Sequence, residues 1–309
     1  MNQEELNKEL NRKDHFVSQT YLKHFGYLGK FVFWHRKKES LVKEVPINSI
    51  CLERGGDVCE NFENILALRD ILKRIEPSWN FFIEGIINEN LNQIHDDRSK
   101  NEELSFLHKI CLFMSYLRSL SPTIRKLAKE TNEGIINNFY LPRFTEHGQF
   151  KQLHEPIIKG EIKVEVGDTN YYKAQGINFL AEFAEHLYNR TWLILVNTTD
   201  VKFITSDTPF ISLDNNRLYL PLTPTHALIF DKSFSHQIVY HKVSAFDVRR
   251  CNREIVKFAD DQIISSTEDA GVSKLVEKYR KYEAFVKFES IKEKDATTVI
   301  FRHQSVLKK

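Results

Sequence analysis

The chain has 309 residues, 41% of them hydrophobic, and its 23 Phe and 11 Tyr indicate a folded protein with an aromatic core. Its 44 Lys and Arg nearly balance 42 Asp and Glu, so the net charge of +2 excludes a strong overall attraction to nucleic acid or to an acidic membrane.

The cysteines and the hydropathy pattern indicate in which cellular compartment the protein is located. Four cysteines are too few for a disulfide scaffold, and the spacing of Cys51 and Cys59 is not that of a zinc site. The first 15 residues are charged, and no run reaches the roughly 18 apolar residues of a membrane-spanning helix. We therefore expect a cytoplasmic protein with reduced thiols and no membrane partner.

The N-terminal part begins with a polar stretch that is consistent with a short helix, and a hairpin is predicted after it. The hairpin strands flank a charged turn at residues 37–40, and their apolar positions are Phe31, Phe33, Val42 and Val45.

From about residue 61 to residue 140 the apolar residues recur at helical spacing. The segments predicted to be helical are ENFENILALRDILKRIE, PSWNFFIEGIINENLNQIH, NEELSFLHKICLFMSYLRSL and TIRKLAKETNEGIINNF. The third is apolar almost all round through its middle, which predicts burial. Residues 143–172 are mixed in character and are interpreted as a linker or lid.

After an amphipathic helix, INFLAEFAEHLYNR, the apolar period changes to two. The predicted strands are TWLILVN, VKFITS, FISL, RLYLPL, HALIFD, HQIVYHKV, DQIISS, AFVKFES and TTVIFR. Two more helices are predicted, one opened by a capping box of Ser244 and Asp247 and one capped by Thr267.

These elements predict an α+β fold in which a helical N-terminal half packs on a largely antiparallel sheet from the C-terminal half. We interpret residues 1–309 as a single domain. Its parts are an N-terminal segment with the hairpin (1–50), a helical subdomain (60–142) and a sheet-rich subdomain (174–309).

The stretch FITSDTPF places an acid at the end of an apolar strand, where side chains can enter a cleft. Pro209 favours an extended Thr208 and thereby fixes the direction of Asp207. The alternative is a structural turn, in which Asp207 bonds the backbone N–H groups that follow it.

A second concentration of functional side chains is HFVSQTYLKHF. On a helix, residues four apart are neighbours, so His15 and Gln19 are predicted to form a polar pair. The alternative is a packed His15 and a solvated Gln19.

Arg118 is the third candidate, because it lies near the end of a helix that is predicted to be buried. A buried guanidinium needs an acidic or phosphate partner, for which Glu76 and Asp207 are candidates. Surface exposure at the helix end is the alternative.

Several kinds of site are absent. The chain has no phosphate loop, dinucleotide fingerprint, nucleophile elbow or His-Glu-x-x-His. The histidines after His15 fall on the wrong elements for a His-Asn-His nuclease, and Asp200 lacks the following Glu of a paired-carboxylate nuclease. The aromatics of GKFVFWHRKK would suit base stacking, with inward packing as the alternative.

These stretches also carry a resemblance. The segment from His15 to Phe25 resembles the opening His-x-Val-Pro-Gln-x-Tyr-Leu-Arg-x-Phe of a bacterial family, the domain of unknown function numbered 4238. The similarity extends to ILKRIEPSW, to Arg118 with Pro122, and to FITSDTPF, LPLTP and CNREIVKFADDQIISS. The chain departs from the pattern at Ser18, where Pro is usual, and at Lys23, where Arg is usual. The resemblance implies no activity, and a role in defence or as a toxin rests on analogy alone.

The leading hypothesis is that five polar residues meet in one cleft between the helical half and the sheet: His15, Gln19, Glu76, Arg118 and Asp207. The catalytic residues would be His15, Gln19 and Asp207. The substrate-binding residues would be Arg118, Ser206, Tyr21 and Asn252. A divalent metal would be held by Glu76 and Asp207.

Those groups suit a hydrolase acting on a phosphodiester, in a nucleic acid or a nucleotide. Two alternatives stay open. One is a non-catalytic binding module whose polar residues form a structural network, and the other is a small-molecule or nucleotide sensor.

Overall fold

Helices dominate the N-terminal half and antiparallel-rich sheets the C-terminal half in a computed structural model of the chain. The structure describes residues 3–39, 41–56, 58, 64–99, 104–146, 148–165, 179–213, 217–231, 233, 237–293 and 296–308. The predicted α+β class is confirmed.

The helices are numbered in chain order over the described residues. Those of the N-terminal half are α1 (Gln3–Asn11), α2 (Gln19–Leu22), α3 (Ala67–Ile75), α4 (Ser78–Ile87), α5 (Leu91–Ser99), α6 (Phe106–Ser119), α7 (Pro122–Ile135), α8 (Leu141–Glu146) and α9 (His154–Ile158). Those of the C-terminal half are α10 (Leu180–Tyr188), α11 (Ala245–Phe258) and α12 (Ala270–Tyr279).

The strands are β1 (Lys13–His15), β2 (Phe31–Arg36), β3 (Leu41–Pro46), β4 (Leu52–Arg54), β5 (Trp192–Asn197), β6 (Thr205–Ser206), β7 (Ile211–Ser212), β8 (Leu218–Pro221), β9 (His226–Phe230), β10 (Ile238–Val243), β11 (Gln262–Ser265), β12 (Tyr282–Glu293) and β13 (Ala296–Lys308). They form a five-stranded sheet in the order β10-β5-β9-β8-β7 and a four-stranded sheet in the order β3-β2-β11-β6. Two further pairs are β1 with β4 and β12 with β13. The pairings are antiparallel except that of β5 with β10.

Most predicted elements, the N-terminal hairpin among them, appear where the sequence pattern placed them, and two expectations need correction. The segment PSWNFFIEGIINENLNQIH forms two helices, because the chain turns at Glu89, whose φ is +54°. Asp269 rather than Thr267 caps α12, since its side chain accepts a hydrogen bond from the N–H of Gly271. The N-terminal hairpin joins a sheet of the C-terminal half through the pairing of β2 with β11.

The segment interpreted as a linker or lid, 143–172, contains the end of α8, a 3-10 turn at Gly148–Leu153, and α9. Its last part, 166–172, lies outside the described residues. A lid movement of this segment stays a prediction.

Trp79 on α4 is at the centre of the aromatic core. Its buried ring lies 6.0 Å from the ring of Tyr21, 5.0 Å from that of Phe82 and 4.9 Å from that of Phe113, measured between centroids. Tilted aromatic pairs at these distances add to the free energy of burial. This packing holds α2 against α4 and α6.

Tyr21 also joins the N-terminal segment to both large sheets. Its hydroxyl donates a hydrogen bond to the carbonyl of Pro221 at 2.7 Å. Because a phenol carries a single hydrogen, the same hydroxyl accepts the bond from Thr205, also at 2.7 Å.

His35 on β2 is 1% exposed, and its Nε2 lies 3.2 Å from the hydroxyl of Ser265. Burial lowers the pKa of His35 to about 4, and Asp269 acts in the opposite direction. In the unfolded chain an imidazole has a pKa of about 6.5. A neutral His35 therefore contributes stability that is present above pH 6.5 and is lost as the pH falls towards 4.

Replacing this histidine should reduce the acid sensitivity of the fold. Between pH 7 and pH 5 the loss of unfolding free energy should be about 2 kcal/mol smaller in His35→Gln than in the wild type, because the titrating group is gone. Urea denaturation at both pH values measures it. The exposed His241→Gln should keep the wild-type loss, and an equal loss in His35→Gln would contradict this role of the buried imidazole.

Candidate functional site

A cleft of about 690 Å³ opens where the N-terminal segment meets α3 and α6. The polar side chains that line it include Arg12, Asp14, His15, Gln19, Glu76 and Tyr116. Cationic, acidic and imidazole groups at the same cavity can bind and protonate or deprotonate a polar ligand.

His15 is the last residue of β1 and pairs with Leu52 of β4, so it does not lie on the helix assumed for the predicted pair. The structure nevertheless brings His15 and Gln19 together, because α2 begins at Gln19 immediately after the strand turns. The amide Nε2 of Gln19 donates to Nε2 of His15 at 2.5 Å.

That hydrogen bond assigns the tautomer of His15, since a ring nitrogen that accepts carries no proton. Burial lowers the pKa of His15, while the backbone of Ile50 and the carboxylates of Asp14 and Glu76 act in the opposite direction. The lowered pKa favours the neutral form of His15, and the Gln19 amide covers its Nε2 at the edge of the cleft.

Ser18 is a part of the site that sequence reasoning missed, although its place just before α2 was a signal for a helix cap. Its hydroxyl accepts a hydrogen bond from the N–H of Thr20 at 3.0 Å and donates to the carboxylate of Glu76. This bond fixes the Glu76 carboxylate beside His15.

Two further contacts hold the walls of the cleft. The buried Asp14 carboxylate lies 2.8 Å from Nε of Arg12 and 3.8 Å from a guanidinium nitrogen of Arg69. The hydroxyl of Tyr116 donates to the carbonyl of His15 at 3.1 Å, which attaches the end of β1 to α6. The Arg12 side chain is half-exposed and pairs with Asp14, so it lies at the rim of the cleft.

A second depression of about 470 Å³ adjoins the cleft and shares Gln19, Thr20 and Asn48 with it. It continues past Lys23 and Lys30. Together the two cavities form one groove, called the basic groove below, whose cationic residues are Arg12, Lys13, Lys23 and Lys30. The exposed ring of Phe31 also lines it.

The carboxylate of Asp207 has other surroundings. It is 1% exposed, is not among the groups that line the cleft, and accepts hydrogen bonds from the backbone N–H groups of Asp260, Asp261 and Gln262 at 3.0, 2.8 and 2.8 Å. These donors are not the N–H groups next to Asp207 that the turn alternative names, because they follow it by more than fifty residues. Burial raises the pKa of Asp207 to about 6, and the three hydrogen bonds act in the opposite direction.

A buried lysine accompanies this carboxylate. The Nζ of Lys37 donates to the carbonyls of Lys257, Ala259 and Tyr282 at 3.2, 2.8 and 2.6 Å. Burial lowers the pKa of Lys37 to about 8, and the Asp207 carboxylate acts in the opposite direction. The Lys37 ammonium group and the Asp207 carboxylate therefore both lie in the protein interior.

The residues predicted to bind substrate beside Asp207 are likewise bonded inside the fold. The hydroxyl of Ser206 accepts from the N–H of Thr208 at 3.1 Å. The Asn252 amide accepts from the N–H of Ile204 at 3.1 Å and donates to the carbonyl of Lys202 at 2.8 Å. Both side chains, and that of Tyr21, are buried.

Arg118 points away from the cleft. It follows Tyr116 by two residues on α6, and that spacing places the two side chains on roughly opposite faces of a helix. Its guanidinium carbon lies 4.6 Å from the centroid of the Phe183 ring on α10. Burial lowers the pKa of Arg118 to about 10.

The structure therefore brings together His15, Gln19 and Glu76, and it places Arg118, Asp207, Ser206, Tyr21 and Asn252 elsewhere. Within the described ranges, no group of three or more His, Cys, Asp or Glu is arranged to hold a metal ion. The carboxylates of Glu76 and Asp207, predicted as metal ligands, have separate hydrogen-bond partners.

Replacing one Asp207 oxygen by an NH2 group should weaken the fold through lost hydrogen bonds. In Asp207→Asn the amide oxygen can accept only part of the three N–H bonds and the NH2 group faces the remaining donors, so unfolding free energy should fall by about 2 to 4 kcal/mol. Chemical denaturation measures the change. The exposed Asp200→Asn is the control and should change stability by less than about 0.5 kcal/mol. Equal stability of the two variants would contradict the structural role.

The chain matches the family described as "Protein of unknown function (DUF4238)" over residues 13–269. Neither a curated protein nor a solved structure matches the chain. No helix of the described residues is long and apolar enough to cross a membrane.

Proposed function

Since the chain belongs to the DUF4238 family, whose function is unknown, we propose from the geometry of the cleft that it binds a phosphodiester of a nucleic acid or nucleotide and hydrolyses it with His15 as general base. One observation carries the proposal: the partly buried His15, whose pKa is lowered, lies in a cleft with Arg12 and Lys13 at its rim, and its Nε2 is covered by the exposed side chain of Gln19, which can turn away.

Each group of the cleft has a role in this reaction. The Gln19 amide, which now bonds Nε2 at 2.5 Å, turns to orient the attacking water, and His15 takes a proton from that water as its oxygen bonds phosphorus. The P–O bond to the leaving oxygen breaks, and the leaving oxygen takes a proton from the His15 imidazolium or from solvent. Glu76 stabilises the imidazolium as it forms, because its carboxylate raises the pKa of His15. Arg12 and Lys13 bind the anionic phosphate at the rim.

The proposal assigns the remaining predicted site residues to the scaffold. Asp207, Ser206, Tyr21 and Asn252 hold backbone segments together, and Arg118 packs at the interface of α6 and α10. The proposed reaction names no residues as ligands of a divalent ion. Activity should therefore be assayed both with Mg²⁺ and with a chelator, which decides whether a metal is needed.

The second candidate function is a binding or sensor module without turnover. It is favoured by the contact of Gln19 with His15, which covers the nitrogen that a catalytic base would use. The buried network of Asp207, Tyr21 and Asn252 also fits a protein whose polar residues are structural. A sensor would be stabilised by its ligand and would not consume it.

A cytoplasmic location and a role in bacterial defence belong to the same proposal. The location is supported by Cys51, Cys111 and Cys251, which are free and buried thiols. Defence rests on analogy alone.

If His15 is the general base, its replacement should cause a loss of cleavage activity. His15→Gln should lower kcat for cleavage of labelled single-stranded DNA or RNA by at least about 100-fold, because it removes the proton acceptor. His95→Gln on α5, which is outside the cleft, should retain wild-type kcat. In the wild type the rate should rise with pH and level off by neutral pH, since the pKa of His15 is lowered. Cleavage by His15→Gln at the wild-type rate would contradict the proposal.

Binding in the basic groove predicts a salt-dependent effect. Lys23→Ala and Lys30→Ala should each weaken binding of a single-stranded oligonucleotide and reduce the slope of log affinity against log salt by about 0.7. Fluorescence anisotropy measures both quantities. Lys274→Ala on α12 is the control and should leave the slope unchanged. Intact binding without cleavage supports the binding module, and the absence of both contradicts the proposed function.

A further inference from the structure

A separate pocket of about 230 Å³ lies between one face of the five-stranded sheet and α11. Its floor is apolar and includes Leu195 of β5, Ile229 of β9 and Val243 at the end of β10. An apolar cavity of about 150 Å³ can hold a benzene molecule. The larger volume here leaves room for a body of about two fused rings.

The helix contributes one continuous face to this pocket. Asp247, Arg250, Cys251 and Glu254 line it at positions i, i+3, i+4 and i+7 of α11. On the opposite side the backbone of Arg217 is fixed, because its carbonyl accepts a hydrogen bond from the N–H of Leu213 at 2.7 Å. Two arginines, Arg217 and Arg250, therefore line a pocket with an apolar floor.

The acids of the pocket already have partners. The carboxylate of Asp247 accepts from both the N–H and the hydroxyl of Ser244, as the capping box of α11. That of Glu254 accepts from Nε of Arg253 at 2.8 Å and from Lys257 at 3.3 Å.

The two arginines differ from these acids. Among the described residues neither Arg217 nor Arg250 forms a salt bridge or a side-chain hydrogen bond, although the charge of Arg250 helps to lower the pKa of Asp247, and both line the pocket. Guanidinium groups recognise carboxylates with paired N–H donors. An apolar floor with a few convergent polar groups is the usual make-up of a small-molecule site.

We propose that this pocket binds a small aromatic carboxylate, with its rings on the floor of Leu195, Ile229 and Val243 and its carboxylate between Arg217 and Arg250. The pocket shares no lining residue with the cleft or the basic groove, so this inference does not depend on the proposed hydrolysis.

Calorimetric titration with 2-naphthoate tests the site, and naphthalene-2-carboxamide serves as the uncharged analogue. The wild type should bind the carboxylate at least about tenfold more tightly than the amide, because only the anion pairs with the arginines. The double variant Arg217→Gln with Arg250→Gln should lose this preference. Arg249→Gln, an exposed neighbour outside the pocket, should retain it.

Nuclear magnetic resonance shows independently where 2-naphthoate binds. Addition of 2-naphthoate should shift the methyl signals of Leu195, Ile229 and Val243 in the full-length wild type. Equal affinity for the acid and the amide would overturn the proposal. Absence of binding at millimolar 2-naphthoate, or binding that leaves these methyl signals in place, would also overturn it.

Discussion

The buried carboxylate of Asp207 is the interaction on which the position of the candidate site depends. Its three hydrogen bonds fix the backbone from Asp260 to Gln262 beside β6, where β11 begins. The side chain of Gln262 then accepts from the N–H of Cys51 at 3.1 Å, and the carbonyl of Cys51 accepts from the N–H of Phe16 at 3.0 Å. Through this sequence of bonds Asp207 supports the strand that ends in His15 without touching the cleft.

The polar residues of the chain thus serve two purposes. Buried polar groups must be hydrogen-bonded, and Asp207, Asn252 and Tyr21 satisfy that requirement by joining segments that are distant in sequence. His15 and Gln19 keep their polar ends at a cavity, where a ligand can compete for the bond between them. Burial and partner geometry distinguish the two groups, whereas residue type does not.

Local signals in the sequence were sufficient for much of the fold. Helical spacing predicted α6 and α7, and Ser244 with Asp247 predicted the capping box of α11, because these features depend on residues within a few positions. The turn at Glu89 carried no such signal, since a non-glycine residue adopts a positive φ only under tertiary constraint.

Less of the candidate site than of the fold could be predicted from the sequence. The pairing of His15 with Leu52 joins strands of three residues each, and so short a strand has no readable period. The donors to Asp207 follow it by more than fifty residues, so the pattern SDTP showed a turn but not its partners.

The central claim is that Asp207 is a structural anchor of the backbone that supports the cleft. Native-state hydrogen exchange at the amides of Asp261 and Gln262 tests it most directly, because both donate to this carboxylate at 2.8 Å. The account predicts that these amides exchange only through global unfolding, with a free energy of opening equal to that of the whole domain. Rapid exchange of both amides under native conditions would contradict it.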